Sequence, residues 1–239
     1  MKKYVAYLIC GLIAVVIGDI TIGSILKHYY YRQTSGLQYR TTYSIDQTEA
    51  DIVIFGTSRA NHHYDTKLIE NETGLSAYNT GRDGQFIFYQ TALLKSLLSR
   101  HTPKQIILDF AGTFEFRQKD YDGLSSLLPY YSSHKELRDI VLMKSPFERC
   151  KLLSQIYPFN SLLTTIIVGN LKYNKTRPNN KNAYNGYVPL SGSWNNELDS
   201  IDTSAKYNID TNKYDIFEEF ITIVKQNNIP LLVVYSPVY

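Results

Sequence analysis

Ser58 is the residue whose surroundings suggest chemistry. It follows the unbroken apolar run Ile52-Val53-Ile54-Phe55 and the strand breaker Gly56, so its hydroxyl falls on the turn at a strand's carboxyl end. In open α/β sheets ligands bind at that edge. A serine is a poor nucleophile unless a base takes its proton and donors hold the oxyanion that forms on the attacked carbonyl. Candidate donors lie in Asn79-Thr80-Gly81-Arg82-Asp83-Gly84, which follows another short apolar segment and opens a helix. The free N–H groups and positive dipole end of that helix would face whatever lies over Ser58. Arg59 and Arg82 flank the two turns, each placed to meet an anionic group or simply to be solvated.

A base is harder to find. His62 and His63 follow Ser58 closely, but adjacent side chains diverge, and a histidine so near in sequence must fold back sharply to reach the serine; a loop or surface histidine is the plainer reading. His101 reads as a helix-end cap and His134 as the start of a charged helix. Asp109, near the end of a third apolar run, reads as a buried, hydrogen-bonded structural carboxylate. No Cys/His spacing suits a metal, Cys10 and Cys150 have no reason to pair, and no cofactor is expected.

The elements that must position these groups alternate. Residues 51–55, 76–79 and 105–110 read as strands, with a short helix between Asp65 as cap and Gly74 as stop, and an apolar-periodic helix over residues 85–100. Such alternation predicts an α/β fold, a three-layer doubly wound parallel sheet. Residues 112–208 interrupt it. Within them Ser145-Pro146-Phe147-Glu148 predicts a capped helix start, residues 162–168 a buried helix, and residues 170–196 a long irregular loop anchored by Gly186-Tyr187-Val188-Pro189-Leu190 and Trp194 over the sheet's carboxyl edge. A helix over residues 213–226 and a strand over 231–235 resume the pattern.

The Gly56-x-Ser58 turn on one strand end, with Asn79-x-Gly81-x-x-Gly84 on the next, resembles the SGNH/GDSL hydrolase superfamily. The resemblance covers roughly residues 50–110 and, more loosely, 213–237. It implies an SGNH/flavodoxin-like domain with Ser58 as nucleophile, the Gly81 N–H in the oxyanion hole, and Asn79, Gly84, Arg59 and Arg82 as candidate substrate contacts. The implied activity is that of a serine ester hydrolase or O-acyltransferase working on acyl esters of envelope glycans. Two family blocks are missing. The third usually carries Gly-x-Asn, where this chain reads Gly112-Thr113-Phe114, and the final Asp-x-x-His would follow Tyr235, beyond which only four residues stand. The expectation is therefore a C-terminally incomplete, impaired member of that lineage, or a non-catalytic binding or assembly protein on the same scaffold.

Residues 4–26 are apolar except for Asp19, Thr21 and Ser24, with Lys2 and Lys3 before and a tyrosine cluster after. That length and those flanks predict a retained membrane anchor, with a cleaved signal peptide as the alternative. Lys27, Arg32 and Arg40 rival Lys2 and Lys3 as topology signals, and the resemblance inclines the reading to an extracytoplasmic domain. Residues 27–49 read as a polar juxtamembrane connector and residues 50–239 as the domain. The net charge of +3, from 25 basic against 22 acidic residues without a basic block, leaves no nucleic-acid footprint. The 21 tyrosines, many in loops, suit a surface facing sugars or a membrane interface, or plain packing.

Overall fold

Strands β1 (Ile52–Phe55), β2 (Ala77–Asn79), β3 (Gln105–Asp109) and β4 (Leu231–Val234) form one sheet in the order β2-β1-β3-β4, and every pairing is parallel. The computed structural model of the chain describes residues 1–110, 114–171, 184–190 and 208–236. Gly112, Thr113, Trp194 and the stretch 237–239 lie outside the described residues, as does most of the expected 170–196 loop. The molecule is an α/β protein preceded by a long apolar helix.

Both faces of the sheet are covered, which is why β1 carries no polar residue. Val53, Phe55, Ile106 and Leu108 pack against helices α5 (Ile87–Leu98) and α10 (Thr211–Gln226), while Ile52, Ile54, Ala77 and Ile107 meet Ala60, Tyr64 and Ile69 of the opposite layer. That thinner layer holds α3 (Ser58–His63) and α4 (Thr66–Thr73). Asp65 caps α4 by accepting from the Lys67 and Leu68 N–H groups, and Gly74 ends it at φ +68°. Helix α5 is buried nearly all round, beyond the single face its periodicity predicts, because a helix over Gly36–Asp46 and the segment after β3 cover its outer side.

The connector reading of residues 27–49 is corrected. Helix α1 (Lys2–Tyr31) continues through the tyrosine cluster, and α2 (Gly36–Asp46) buries Thr41, Thr42, Ser44 and Ile45 against α5. Thr41 bonds the Tyr89 hydroxyl at 2.9 Å, and Thr42 bonds Tyr130, which also meets Tyr30. Burial pushes Tyr30 up to about 12 and Tyr130 well above the ordinary phenol value, so this hydroxyl chain stays neutral. Arg100 closes α2 by donating to the Ser44, Ile45 and Thr48 carbonyls. A helix docked through hydroxyls carries no apolar period.

The segment after β3 runs through short helices α6 (Gln118–Asp122), α7 (Arg138–Leu142) and α8 (Glu148–Lys151), then α9 (Leu163–Asn170). Two expectations change here. Ser145 does not cap a helix: its hydroxyl donates to the buried Glu148 carboxylate at 2.7 Å, and the four-residue helix begins only at Glu148, with no side-chain cap. Helix α9 buries Ile166 alone and leaves Leu163, Ile167 and Val168 exposed.

His134 links α2 to this segment, its ring contacting Asp46 at 3.0 Å and Glu136 at 2.9 Å. The Asp46 hydrogen bond, with Glu136 adding, raises its pKa above the ordinary value. The imidazolium therefore contributes stability fully below the unfolded value of about 6.5 and loses it as pH rises through the folded value. Urea unfolding of His134→Gln should show a smaller stability loss between pH 6 and 9 than the parent; equal losses would remove His134 from the account.

Candidate functional site

The strand order reverses between β1 and β3, so the crevice at their carboxyl ends is the switch point where ligands of open α/β sheets bind. Ser58 stands there as the first residue of α3. Its side chain is exposed, and its hydroxyl has no hydrogen-bond partner among the described residues. Gly56 makes this turn possible: a Cβ there would lie 2.4 Å from Ala60 Cβ and 3.1 Å from Asp109 Cβ. The second turn meets the first, since Thr80 and Arg82 donate their N–H groups to the Ile54 and Gly56 carbonyls.

The donors expected around Ser58 are engaged within the protein. Gly81 N–H donates to Asn79 Oδ1 at 2.9 Å, and a Cβ on Gly81 would meet Asn61 N at 2.6 Å. Asn79 is fully buried and spends its Nδ2 on the Ala60 and Tyr64 carbonyls, holding α3 to β2. Gly84, at φ +69°, shapes the turn into α5. Arg59 donates to the Ser236 carbonyl at 2.5 Å, reaches the Phe110 carbonyl at 3.4 Å and lies 4.6 Å from the Tyr235 ring centre. Arg82 donates to Thr41 at 2.5 Å. Both arginines are thus braces between elements, a use that position in sequence does not disclose.

Most of the histidines are engaged elsewhere too. Helix α3 sets His62 one turn beyond Ser58 on the same helical face, so no sharp fold-back is involved. Its Nδ1 nevertheless lies 2.5 Å from Val188 O, and its Nε2 is shared between the Asp83 carboxylate at 3.2 Å and Asn61 Nδ2 at 3.3 Å. His63 is exposed, His101 bonds the Ala50 carbonyl, and His134 binds Asp46 and Glu136. His28 lies on α1, ring to ring with Tyr29.

Asp109 is the carboxylate nearest the crevice, fully buried, as a structural aspartate should be. Its Oδ2 accepts from the Ser236 hydroxyl at 2.5 Å, and Tyr64 OH meets that hydroxyl at 3.1 Å. Oδ1 makes no hydrogen bond and faces Arg59 Nη2 at 3.8 Å. Burial, with the Asp109 charge adding, raises the Tyr64 phenol. Among the described residues no three His, Cys, Asp or Glu side chains converge as a metal site.

Beside this crevice, at the outer edge of β2, opens a cleft of about 630 Å³. Tyr39, Tyr43, Tyr78, Tyr184 and Tyr187 line it together with Arg40, Asn61, His62 and Asp83. Its far wall is a two-residue hairpin: Tyr184 and Tyr187 exchange backbone hydrogen bonds around Asn185 (φ 41°) and Gly186 (φ 84°). Asn-Gly with both φ positive suits the tight hairpin turn, so Asn185-Gly186 was a readable signal that reading by loop composition passes over. The hairpin docks on the sheet edge, Asn79 N–H donating to Asn185 O and Val188 N–H to Asn61 O. The expected place over the carboxyl edge is thereby found at the flank of β2.

Arg40 governs this cleft. Its Nη2 donates to Asn61 Oδ1 at 2.7 Å, Gly81 O at 2.9 Å and Gly186 O at 2.5 Å, and burial lowers its pKa. Comparison with protein-family models, with curated proteins and with solved structures gave no match, so the reading of the site rests on its own geometry.

Gly186 has no room for a side chain: a Cβ would lie 1.9 Å from Asn79 O. Gly186→Ala should lift the hairpin from β2 and speed hydrogen exchange at the Asn79 and Val188 amides by roughly tenfold or more, as ~1–3 kcal/mol of backbone strain brings. Unchanged exchange at both amides would show that the hairpin does not depend on this turn.

Proposed function

We propose that the chain is a membrane-anchored domain of SGNH-like ester hydrolase or acyltransferase lineage, directed at acyl esters of envelope glycans, with Ser58 as its nucleophile. We further propose that these 239 residues present Ser58 without activating it. The observation that carries the reading is the contrast at the switch point: an exposed serine hydroxyl at the end of β1, unpartnered among the described residues, beside a Gly81 N–H and a His62 ring that are engaged elsewhere. For Ser58 to attack an acyl carbon its proton must pass to a base; the His62 ring is tied to Val188 and Asp83, and exposed His63, five residues along α3, stands about 140° round the helix from Ser58. The oxyanion would need a donor, and Gly81 N–H already serves Asn79.

The alternative, a binding or assembly module without turnover, is favoured by the tyrosine-lined cleft beside the crevice. Tyrosine faces with hydroxyl tips suit sugar rings, and the exposed Asp83 carboxylate supplies a directional polar contact.

Losing base assistance costs about 10²–10⁴-fold, and an occupied oxyanion donor about 10²–10³-fold, without simple multiplication. The purified full chain in detergent should therefore hydrolyse a small acetyl ester barely above background, and Ser58→Ala should leave that rate nearly unchanged. An acetylated glycan that binds both forms equally would favour the module reading. Robust hydrolysis abolished by Ser58→Ala would overturn the account of an unactivated serine.

A further inference from the structure

The apolar helix α1 does not stand clear of the domain along its whole bilayer-length run. Asp19, within that run, accepts from Ser154 Oγ at 2.5 Å, Gln155 N at 2.7 Å and Ile156 N at 3.3 Å. Gly23 lies flat against the chain there, since a Cβ on it would fall 2.4 Å from Gln155 Cβ. Higher up, the Asn170 side chain donates to Tyr29 O. The docked part of α1 thus begins at Asp19, while the apolar run continues to Leu26.

Those two facts conflict with a membrane that stops where the domain starts. A hydrocarbon core about 30 Å thick needs about 20 apolar residues. Counted from Tyr4, that many carry the span to Gly23, whereas stopping at Asp19 leaves about 15 residues. From Asp19 to Leu26 the helix climbs about 10 Å at 1.5 Å per residue. The protein surface beside that stretch is accordingly at the depth of lipid tails.

Its composition agrees. Leu153 is 80% exposed next to the Asp19 collar, and α9, whose Asn170 meets α1 at Tyr29 just beyond the apolar run, exposes Ile167 (61%), Leu163, Val168 and then Leu171. Lys27, exposed beside Leu152, Ser154 and Gln155, is placed for lipid headgroups. The collar also accounts for an aspartate in an apolar span, because the Asp19 carboxylate and the Gln155 and Ile156 N–H groups satisfy one another where water is scarce.

We propose that Leu153 is immersed in the bilayer leaflet from which α1 emerges and that the exposed side of α9 rests on the outer ends of the same lipids' acyl chains. This inference rests on α1 being a membrane anchor. Immersion would hold the sheet at a fixed height and orientation over the headgroups.

Tryptophan quenching by lipids brominated on the acyl chains tests both readings separately. The full chain, carrying Trp194→Phe and one of Leu153→Trp, Ile167→Trp, Val15→Trp or Leu68→Trp, is reconstituted in phosphatidylcholine vesicles. If Trp194→Phe disturbs folding, the same substitutions are read as the added emission over the parent. The proposal expects strong loss of emission at positions 153, 167 and 15, and none at exposed Leu68 on α4. Quenching at position 15 without quenching at 153 and 167 overturns the immersion and leaves the anchor standing. No quenching at position 15 overturns the anchor and the inference with it, and equal quenching at position 68 overturns the proposed orientation.

Discussion

One buried cation holds the functional end of this molecule together. Arg40, carried by α2, places a single guanidinium nitrogen against the Asn61 side chain of α3, the Gly81 carbonyl of the turn after β2, and the Gly186 carbonyl of the hairpin. No carboxylate pairs with it directly, and its Nε is buried without a partner, so the protein carries a desolvation cost offset by hydrogen bonds to three neutral acceptors. Four chain segments far apart in sequence therefore share one fixed point. Removing the cation would leave three acceptors short of a donor at once.

That fixed point explains how the site can be ordered while most of its polar groups are spent on holding the elements together. Asn79, Arg59 and Arg82 hold elements to one another, and His62 is caught between Asp83 and the hairpin carbonyl of Val188. What is left facing outward is the Ser58 hydroxyl and a cleft of tyrosine rings. Because α2 follows α1 after a four-residue link and both pack on the same core, the end of the apolar helix, the crevice and the cleft are tied together.

Much of the scaffold was legible because its causes are local. Strands buried on both faces need unbroken apolar runs, which β1 and β3 carry, and Asp65 and Gly74 bound α4 by the ordinary chemistry of helix ends. Helix α2 escaped because Thr41 and Thr42 dock through hydrogen bonds to Tyr89 and Tyr130, and hydroxyls leave no hydrophobic period. The roles of the site residues were less legible. Sequence places Arg59 and Gly81 at the right turns, yet whether a guanidinium or an N–H faces a ligand or a neighbouring carbonyl is decided by tertiary contacts. His62 shows the same limit from the other side: its helical spacing from Ser58 brings the two near, and the hairpin more than a hundred residues later fixes its ring.

Helix α2 is an integral part of the domain, tied in by Arg40. Native-state hydrogen exchange on the full chain in detergent micelles measures this directly, by comparing the α2 amides of residues 41–46 with the β1 amides of residues 52–55. The account predicts that both sets open together in the parent, and that Arg40→Met makes the α2 amides and those around Gly81 and Val188 exchange faster as a group. Amides 41–46 exchanging at rates near those of an unstructured tether in the parent, with Arg40→Met changing nothing, would contradict it.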